Sequence, residues 1–510
     1  MSDRRRFLQA LAALGISQAT PARAQLVSKP RFASNPFALG VASGYPLPQG
    51  VVLWTRLVGE LAPVAVPVRW EVASDETMRN VVASGTAEAH PDWAHSVHVE
   101  PRGLEPERWY WYRFSAGDAQ SPVGRTRTAP APGATAARLR FAFASCQHYE
   151  HGYYTAYSHM ATDDLDLVVF LGDYIYESSV KQGYVRRHEA IEEPTSLAAY
   201  RARHALYKTD ADLQSAHRNY PWIATWDDHE VDNDYANDRQ EEGTPPPQFL
   251  LRRAAAYRAY YEHMPLPSAM RPAGPDMRVY TGLEWGALAS FHVLDGRQYR
   301  SHQVCPSPAG RAWDVDPASC AELSDASRSL LGKQQETWLD NRFASSRARW
   351  NVLAQPLLMA QRDNKPGEGK LAWTDGWDGY PAARRRLLQS AVDRRLANPI
   401  VIGGDVHMHF AADLKLDFDD EKSPVVASEF TGTSISSNQG RWRDWKSILD
   451  ENPHMKFVRG DQRGYVRISL AAARLHAEMI GVETVKTPNS PARVLARFAV
   501  EDGRPGAQKV

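Results

Sequence analysis

The chain has 510 residues, more than one hydrophobic core organises, so two domains or more are expected. Hydrophobic residues make up 43% and charged residues 24%, and 34 prolines and 33 glycines are spread along the chain; this composition excludes both a small stapled scaffold and a disordered tract. Sixty basic residues balance sixty acidic ones, so bulk charge favours neither wrapping nucleic acid nor coating an anionic membrane.

The N-terminus sets the expected compartment. Arg4, Arg5 and Arg6 precede Phe7 and Leu8, a modestly apolar stretch runs from Ala10 to Ile16, and Ala22-Arg23-Ala24 supplies small residues for cleavage. That order reads as a bacterial export signal over 1–24, and the paired arginines resemble the twin-arginine type, whose machinery carries folded proteins. The apolar stretch is too short to span a bilayer, and no later segment approaches the ~20 apolar residues a transmembrane helix needs. A periplasmic or secreted protein is therefore expected, with 56 basic against 59 acidic residues once the signal is removed.

Between Asn35 and Thr128, short runs of period-two alternation such as 50–55, 66–72 and 110–114 are separated by Gly, Pro and Asp. This pattern predicts a small β-sandwich, assigned to 25–128. Ala129-Pro130-Ala131-Pro132-Gly133-Ala134 is a linker by composition, placed at 129–137. From 138 to 510 apolar strands alternate with helical segments at 247–263 and 333–345. Strands are predicted at 139–144, 167–171, 222–226, 287–294, 350–354, 399–402, 425–431, 465–470 and 475–482, which indicates a layered α/β domain with a large, doubled sheet. Part of 296–380, rich in Pro, Gly, Trp and charge, is too long for an ordinary connection and is expected to cover a site.

Chemistry concentrates where the strands end. Ser145-Cys146-Gln147 follows the first, Gly172-Asp173-Tyr174-Ile175-Tyr176-Glu177 the second, Asp227-Asp228-His229-Glu230 the third, and Gly404-Asp405-Val406-His407 a later one. Each cluster alone reads as a turn, a cap or an edge histidine; four of them past apolar strands read as a site. Thiolate, carboxylate, phenol and imidazole together suit a dinuclear metal centre, with Asp173 able to bridge. Cys305 and Cys320, 15 positions apart in a polar loop, are candidates for a disulfide, which leaves Cys146 as either an inert buried thiol or a metal thiolate.

These motifs, with Phe37-Ala38-Leu39-Gly40-Val41-Ala42-Ser43-Gly44 and Val52-Leu53-Trp54-Thr55-Arg56, resemble those of the PhoD-type alkaline phosphatases, a branch of the calcineurin-like metallophosphoesterases related to purple acid phosphatases. The resemblance covers nearly the whole chain after the signal. It implies an N-terminal β-sandwich followed by a four-layer αββα metallophosphoesterase domain, Fe3+ with one or two Ca2+, and hydrolysis of phosphomonoesters with some diesters. Carried over by position, Cys146, Asp173, Tyr176 and His407 would hold the ferric ion, and Asp173 would bridge to a site completed by Asp228 and Asp405. Cys146 stands where the wider superfamily has an Asp and His pair, Asp228 where it has Asn, and Asp405 where it has His. These departures make the second site richer in oxygen and favour calcium over zinc. No clear equivalent appears of a separate histidine ligand between the last two motifs, and Gln355 is the nearest candidate.

Two cations would activate a shared water and neutralise phosphate oxygens for in-line attack. His229 is the expected general acid toward the leaving alkoxide, with an orienting role as its alternative. Arg297 is a weaker candidate for a phosphate clamp, a salt bridge being its alternative. Trp313, Trp373 and Trp377 are candidates for a substrate wall. Competing readings are a phosphodiesterase, phospholipase D-like on lipid, nucleotide or polymer-linked phosphate, and an exported binding protein with a structural metal cluster.

Overall fold

Two large sheets carry most of the chain, and their strand ends supply the candidate ligands. The computed structural model describes residues 31–240, 243–306, 312–439 and 445–510; the expected signal over 1–24 lies outside them. The first sheet has ten strands in the order Arg504–Lys509, Ala492–Glu501, Arg474–Val482, Arg463–Leu470, Leu139–Ala144, Leu167–Leu171, Pro221–Thr225, Val41–Leu47, Gly50–Arg56 and Ser96–Val99. Its centre is parallel, with Leu167–Leu171 between Leu139–Ala144 and Pro221–Thr225. These three strands are buried along nearly their whole length, which is why they read in the sequence as continuous apolar runs.

The second sheet has seven strands in the order Thr281–Trp285, Ala289–Val293, Trp350–Ala354, Pro399–Gly403, Val425–Thr431, His409–Lys415 and Met455–Arg459. Side-chain parity shows what each face meets. Val352, Ala354, Ile400 and Ile402 share a core with Phe141 and Val169 of the first sheet, and the Phe141 and Phe291 rings meet edge-on with centroids 5.3 Å apart. Leu353 and Val401, one position out of phase, pack instead with Leu339 and Phe343 of the helix Gly332–Ser345 and with Leu387 and Leu388 of the helix Pro381–Asp393. On the first sheet Trp222 stacks on His217 of the helix Ala211–Asn219, with centroids 3.8 Å apart, and lies 5.8 Å from Tyr157 of the helix Thr155–Met160.

The N-terminal strands supply two packed sheets, and one of them continues the ten-stranded sheet. Val41–Leu47 pairs in parallel with Pro221–Thr225, placing Ser43 opposite Pro221 and Gly44 opposite Trp222. A Cβ at Gly44 would lie 2.6 Å from the Trp222 carbonyl oxygen, so the close approach needs glycine. Val41–Leu47, Gly50–Arg56 and Ser96–Val99 thus extend the ten-stranded sheet, while Val66–Ala73, Val81–Ala89, Trp109–Ala116, Ala119–Gln120 and Gly124–Arg127 form a separate five-stranded sheet. Val41, Leu53, Val68, Val72, Tyr110 and Phe114 pack between the two. Alternation in the sequence reports which face of a strand is buried, but not which partner its free edge takes. The expected linker is also pinned: Ala129 N–H donates to the Leu47 carbonyl at 3.1 Å, and Ala287 N–H to that of Ala134 at 2.8 Å.

Cys305 and Cys320 form a disulfide, and Cys146 is free and buried. Among the described residues no helix is long and apolar enough to cross a membrane.

Candidate metal centre

The strands Leu139–Ala144, Leu167–Leu171, Pro221–Thr225 and Pro399–Gly403 each stop within three residues of a candidate ligand. The chain then turns through the left-handed region at Cys146 (φ 60°), Asp173 (φ 58°), Asp405 (φ 63°) and His407 (φ 53°). Such backbone costs on the order of 1–3 kcal/mol per residue and persists only where the surroundings over-determine it. Four instances on four candidate ligands mark an imposed geometry. Gly172 lets the loops meet: a Cβ there would lie 2.5 Å from the Asp227 nitrogen. The turns are then tied together. Cys146 N–H donates to the Gly172 carbonyl at 3.1 Å, and the Glu230 carboxylate accepts from Tyr174 N–H at 2.6 Å and Asp227 N–H at 3.0 Å.

Two groups of potential ligand atoms result. One atom each from Cys146, Asp173 and His407 lie within 4.8 Å of one another, as do one each from Asp173, Asp228 and His229. Asp173 belongs to both. Tyr176 Oη donates to Asp173 Oδ2 at 2.8 Å and lies 3.2 Å from His407 Nε2. His407 Nδ1 donates to the Asn438 carbonyl at 2.6 Å, which leaves the Nε2 lone pair facing the cluster. Asp173 Oδ1, Asp228 Oδ1 and Asp405 Oδ2 are buried with no hydrogen-bond partner. Buried carboxylate oxygens are ordinarily satisfied, and the orphans of Asp173 and Asp228, grouped beside a thiol and an imidazole, fit a pair of cations, with that of Asp405 farther off.

The electrostatics agree. Burial pushes the Asp173 carboxyl well above the usual carboxylate range, and Asp228 and Asp227 add to this against an opposing contribution from His229. Asp405 is raised by burial and then by Asp227 and Asp228. Burial, reinforced by Asp173, also raises the Cys146 thiol and the Tyr176 phenol, and His407 is lowered to about 3 by burial and Arg463. A site so crowded with anions and acceptors is relieved by positive ions. His229 behaves oppositely: burial disfavours its charge, but Glu177, Asp228 and Asp173 outweigh burial and hold the imidazolium well above its ordinary range. Glu177 Oε2 lies 2.7 Å from His229 Nδ1, and the ring stacks on Tyr176 with centroids 4.1 Å apart.

Of the residues singled out from sequence, Cys146, Asp173, Tyr176, Asp228, His229 and His407 converge. Asp405 falls outside both 4.8 Å groups, though its charge acts together with those of Asp227 and Asp228. Arg297 is placed differently from a substrate clamp. It is 0% exposed, Nε and Nη2 donate to the two Asp227 oxygens at 2.6 and 3.1 Å, and Nη1 lies 2.8 Å from Asp375. The buried Asp227 needs a counter-charge, and the planar guanidinium meets it through two bonds, leaving no fork for phosphate. Gln355 is likewise satisfied locally, its Oε1 accepting from Leu357 N–H and Trp377 Nε1 at 3.0 Å each. Trp377 is buried, whereas Trp313 is exposed.

Sequence reasoning quoted Glu177 and Glu230 without giving them roles, and it missed Ser437, Asn438 and Arg463. The signal for Ser437 and Asn438 was present: Ser434-Ile435-Ser436-Ser437-Asn438 is another polar run just past an apolar strand, Val425–Thr431.

Comparison with known proteins agrees with this arrangement. The family model described as PhoD-like phosphatase matches residues 141–479, and that of the PhoD-like phosphatase N-terminal domain matches 20–130. Alkaline phosphatase D of Bacillus subtilis (strain 168) is 46% identical over 528 aligned positions, covering 100% of this chain and 89% of the relative. A solved structure titled "Structure of PhoD" superposes with a TM-score of 0.90 at 47% identity, covering 94% of this chain and 93% of that one. With full-length similarity and a matching fold behind the converged strand-end residues, the chain belongs to the PhoD-like phosphatases and is a phosphoric ester hydrolase.

Proposed function

We propose that the chain is an exported, metal-dependent phosphatase that releases phosphate from phosphomonoesters and, to a lesser extent, from diesters. The observation that carries this reading is Asp173, shared between two ligand groups that contain orphaned buried oxygens. Cys146, Asp173, Tyr176 and His407 would hold a ferric ion, since thiolate and phenolate donate charge to a hard trivalent cation. Asp173, Asp228 and Asp405 would hold calcium, one or two ions, through oxygen. When bound, these cations supply an activated water and neutralise the phosphate charge.

The chain's own residues do the rest. Asp173 orients the two halves of the site to one another, and Arg297 keeps the Asp227-Asp228 turn in place. Glu177 holds His229 by Nδ1, so that Nε2–H is the proton available to a departing alkoxide. The left-handed turns hold the side chains before substrate arrives, which limits reorganisation during reaction. The architecture we favour is four-layer αββα over 138–510, supported by the alternating parity of the central strands, with 25–128 as a sandwich whose one sheet continues the first large sheet. Export through the twin-arginine route rests on the 1–24 sequence pattern.

The test is an assay of purified protein on p-nitrophenyl phosphate and bis-p-nitrophenyl phosphate, with and without chelator and with iron and calcium restored. Monoesterase activity that chelator removes and metal restores is expected. Full activity in metal-free protein would overturn the reading, and faster turnover of the diester would replace the monoester preference with a phosphodiesterase.

A further inference from the structure

The proposed iron ligands lean on one short segment, which backbone bonds tie to Ser145, Cys146 and Gly464 and which one buried cation also grips. Ser437 Oγ lies 2.8 Å from the Cys146 carbonyl and 2.9 Å from the Tyr176 hydroxyl. Ile435 N–H donates to the Ser145 carbonyl at 2.9 Å, and the Asn438 carbonyl takes the His407 Nδ1 proton at 2.6 Å. Cys146, Tyr176 and His407 are thus all positioned from Ser434 to Asn438.

Arg463, at the start of the strand Arg463–Leu470, grips this segment. It is buried; Nη1 donates to the Ser437 carbonyl at 2.7 Å and to Ser434 Oγ at 3.1 Å, and Nη2 donates to the Gly460 carbonyl. All its partners are neutral oxygens. Among the described residues no carboxylate lies within salt-bridge distance of it, and its neighbour Asp461 is already paired with Arg459 at 2.7 Å. A buried guanidinium without a carboxylate is unfavourable unless something nearby profits from its charge. Its field falls on Cys146, Asp461 and Tyr176 on one side and on His407 on the other.

We infer that Arg463 is a positioning residue of the iron side: its fork fixes Ser434 to Asn438 under Cys146, Tyr176 and His407, and its charge, in contact with no carboxylate, tunes the electron affinity of the ion they hold. This rests on the reading of those residues as an iron site. Two consequences separate its parts. Losing the fork loosens iron, since disrupting groups that orient ligands typically lowers metal affinity by ~10–100-fold. Losing the charge favours the ferric over the ferrous ion, because a fixed positive charge stabilises the less positive oxidation state.

The experiment uses iron-loaded full-length protein and the variants Arg463→Gln, Arg463→Lys and Ser437→Ala. Iron retention against a competing chelator, the position of the visible charge-transfer band and the reduction midpoint are measured. R463Q is expected to lose iron about 10–100-fold more readily, with a lowered midpoint and a displaced band. R463K keeps the charge and should hold its midpoint near wild type. Ser437→Ala removes the hydroxyl between Cys146 and Tyr176 with no change of charge, and should loosen iron at an unchanged midpoint. If R463Q does not fold, R463K and S437A carry the positioning claim, and a midpoint displaced in the charge-keeping R463K overturns the charge role. Wild-type iron retention in S437A and in every Arg463 variant that folds overturns the positioning role, and an unchanged midpoint in R463Q overturns the charge role. Wild-type protein that binds no iron and shows no band overturns the iron-site reading first, and this inference with it.

Discussion

Replacing Arg297 with Gln asks whether this guanidinium builds the site or grips substrate. Its nitrogens face three buried acids, Asp227 at 1% exposure, Asp375 at 0% and, at 3.7 Å, Asp228, which also has His229 beside it. Asp375 keeps Arg300 at 2.8 Å after the substitution, so the carboxylate left without a counter-charge is that of Asp227. Breaking a buried pair by removing one partner costs about 3–5 kcal/mol, and with Arg300 still on Asp375 the lower end, about 3 kcal/mol, applies. Burial pushes Asp227 up to about 7 even while Arg297 pulls it down, so without the guanidinium the acid takes up a proton and the turn carrying Asp228 relaxes. Guanidinium chloride unfolding of metal-depleted protein, followed by circular dichroism, should register this loss. Steady-state kinetics on p-nitrophenyl phosphate should show kcat falling more than KM rises. A several-fold rise in KM with unfolding unchanged would show that Arg297 reaches substrate, and the buried-pair account would be wrong.

Glu177→Gln removes a charge-assisted hydrogen bond to His229, worth about 1.5–3 kcal/mol, so turnover of esters with poor leaving groups should drop roughly 10–100-fold while p-nitrophenyl phosphate is nearly spared. His229→Ala should show the same dependence more strongly, and losses uniform across a leaving-group series would contradict the acid role. Cys146→Ser and Tyr176→Phe, each loaded with iron, should weaken or shift the charge-transfer band; an unaltered spectrum in folded protein removes that residue from the ligand set. Glu429 lies away from the centre, accepting Met359 and Ala360 N–H at 2.7 Å each, and burial pushes its carboxyl from 4.5 to about 7. Its folded form holds the proton more tightly than its unfolded form, so the stability that Glu429 contributes falls as pH rises from 4.5 and levels off above about 7, a loss on the order of 3 kcal/mol from this group. Glu429→Gln should flatten that slope in denaturation at pH 5 and pH 8, and parallel curves for the two proteins would refute it.

The strands that carry the site were legible because both their faces are buried. Leu139–Ala144 and Leu167–Leu171 read as unbroken apolar runs, and the polar residues after them stand out against that background. For Arg297 the sequence leaves a clamp and a salt bridge both open, because its partner, Asp227, lies 70 positions away and spacing along the chain does not reveal a buried ion pair. Ser437 lies in a polar run past an apolar strand, as the other clusters do, whereas Arg463 acts through the carbonyls of Ser437 and Gly460, which leave no signature in residue type. Of the N-terminal strands, the runs 50–55, 66–72 and 110–114 are legible as alternation, whereas Val41–Leu47 and its registry with Pro221–Thr225, which joins positions 43 and 221, are set by tertiary packing.

That junction has a practical corollary for dissecting the enzyme. The strand delivering Asp228 and His229 is bordered by a ribbon from the first fifty residues, and Tyr45 Oη donates to the Ala224 carbonyl at 2.8 Å across the seam. A fragment begun at the compositional linker would lay bare the buried edge of Pro221–Thr225, three residues from the proposed metal ligand Asp228, an invitation to edge-on self-association. The amino-terminal region is thus a wall of the catalytic half, and the two cannot be cut apart where the prolines invite the scissors.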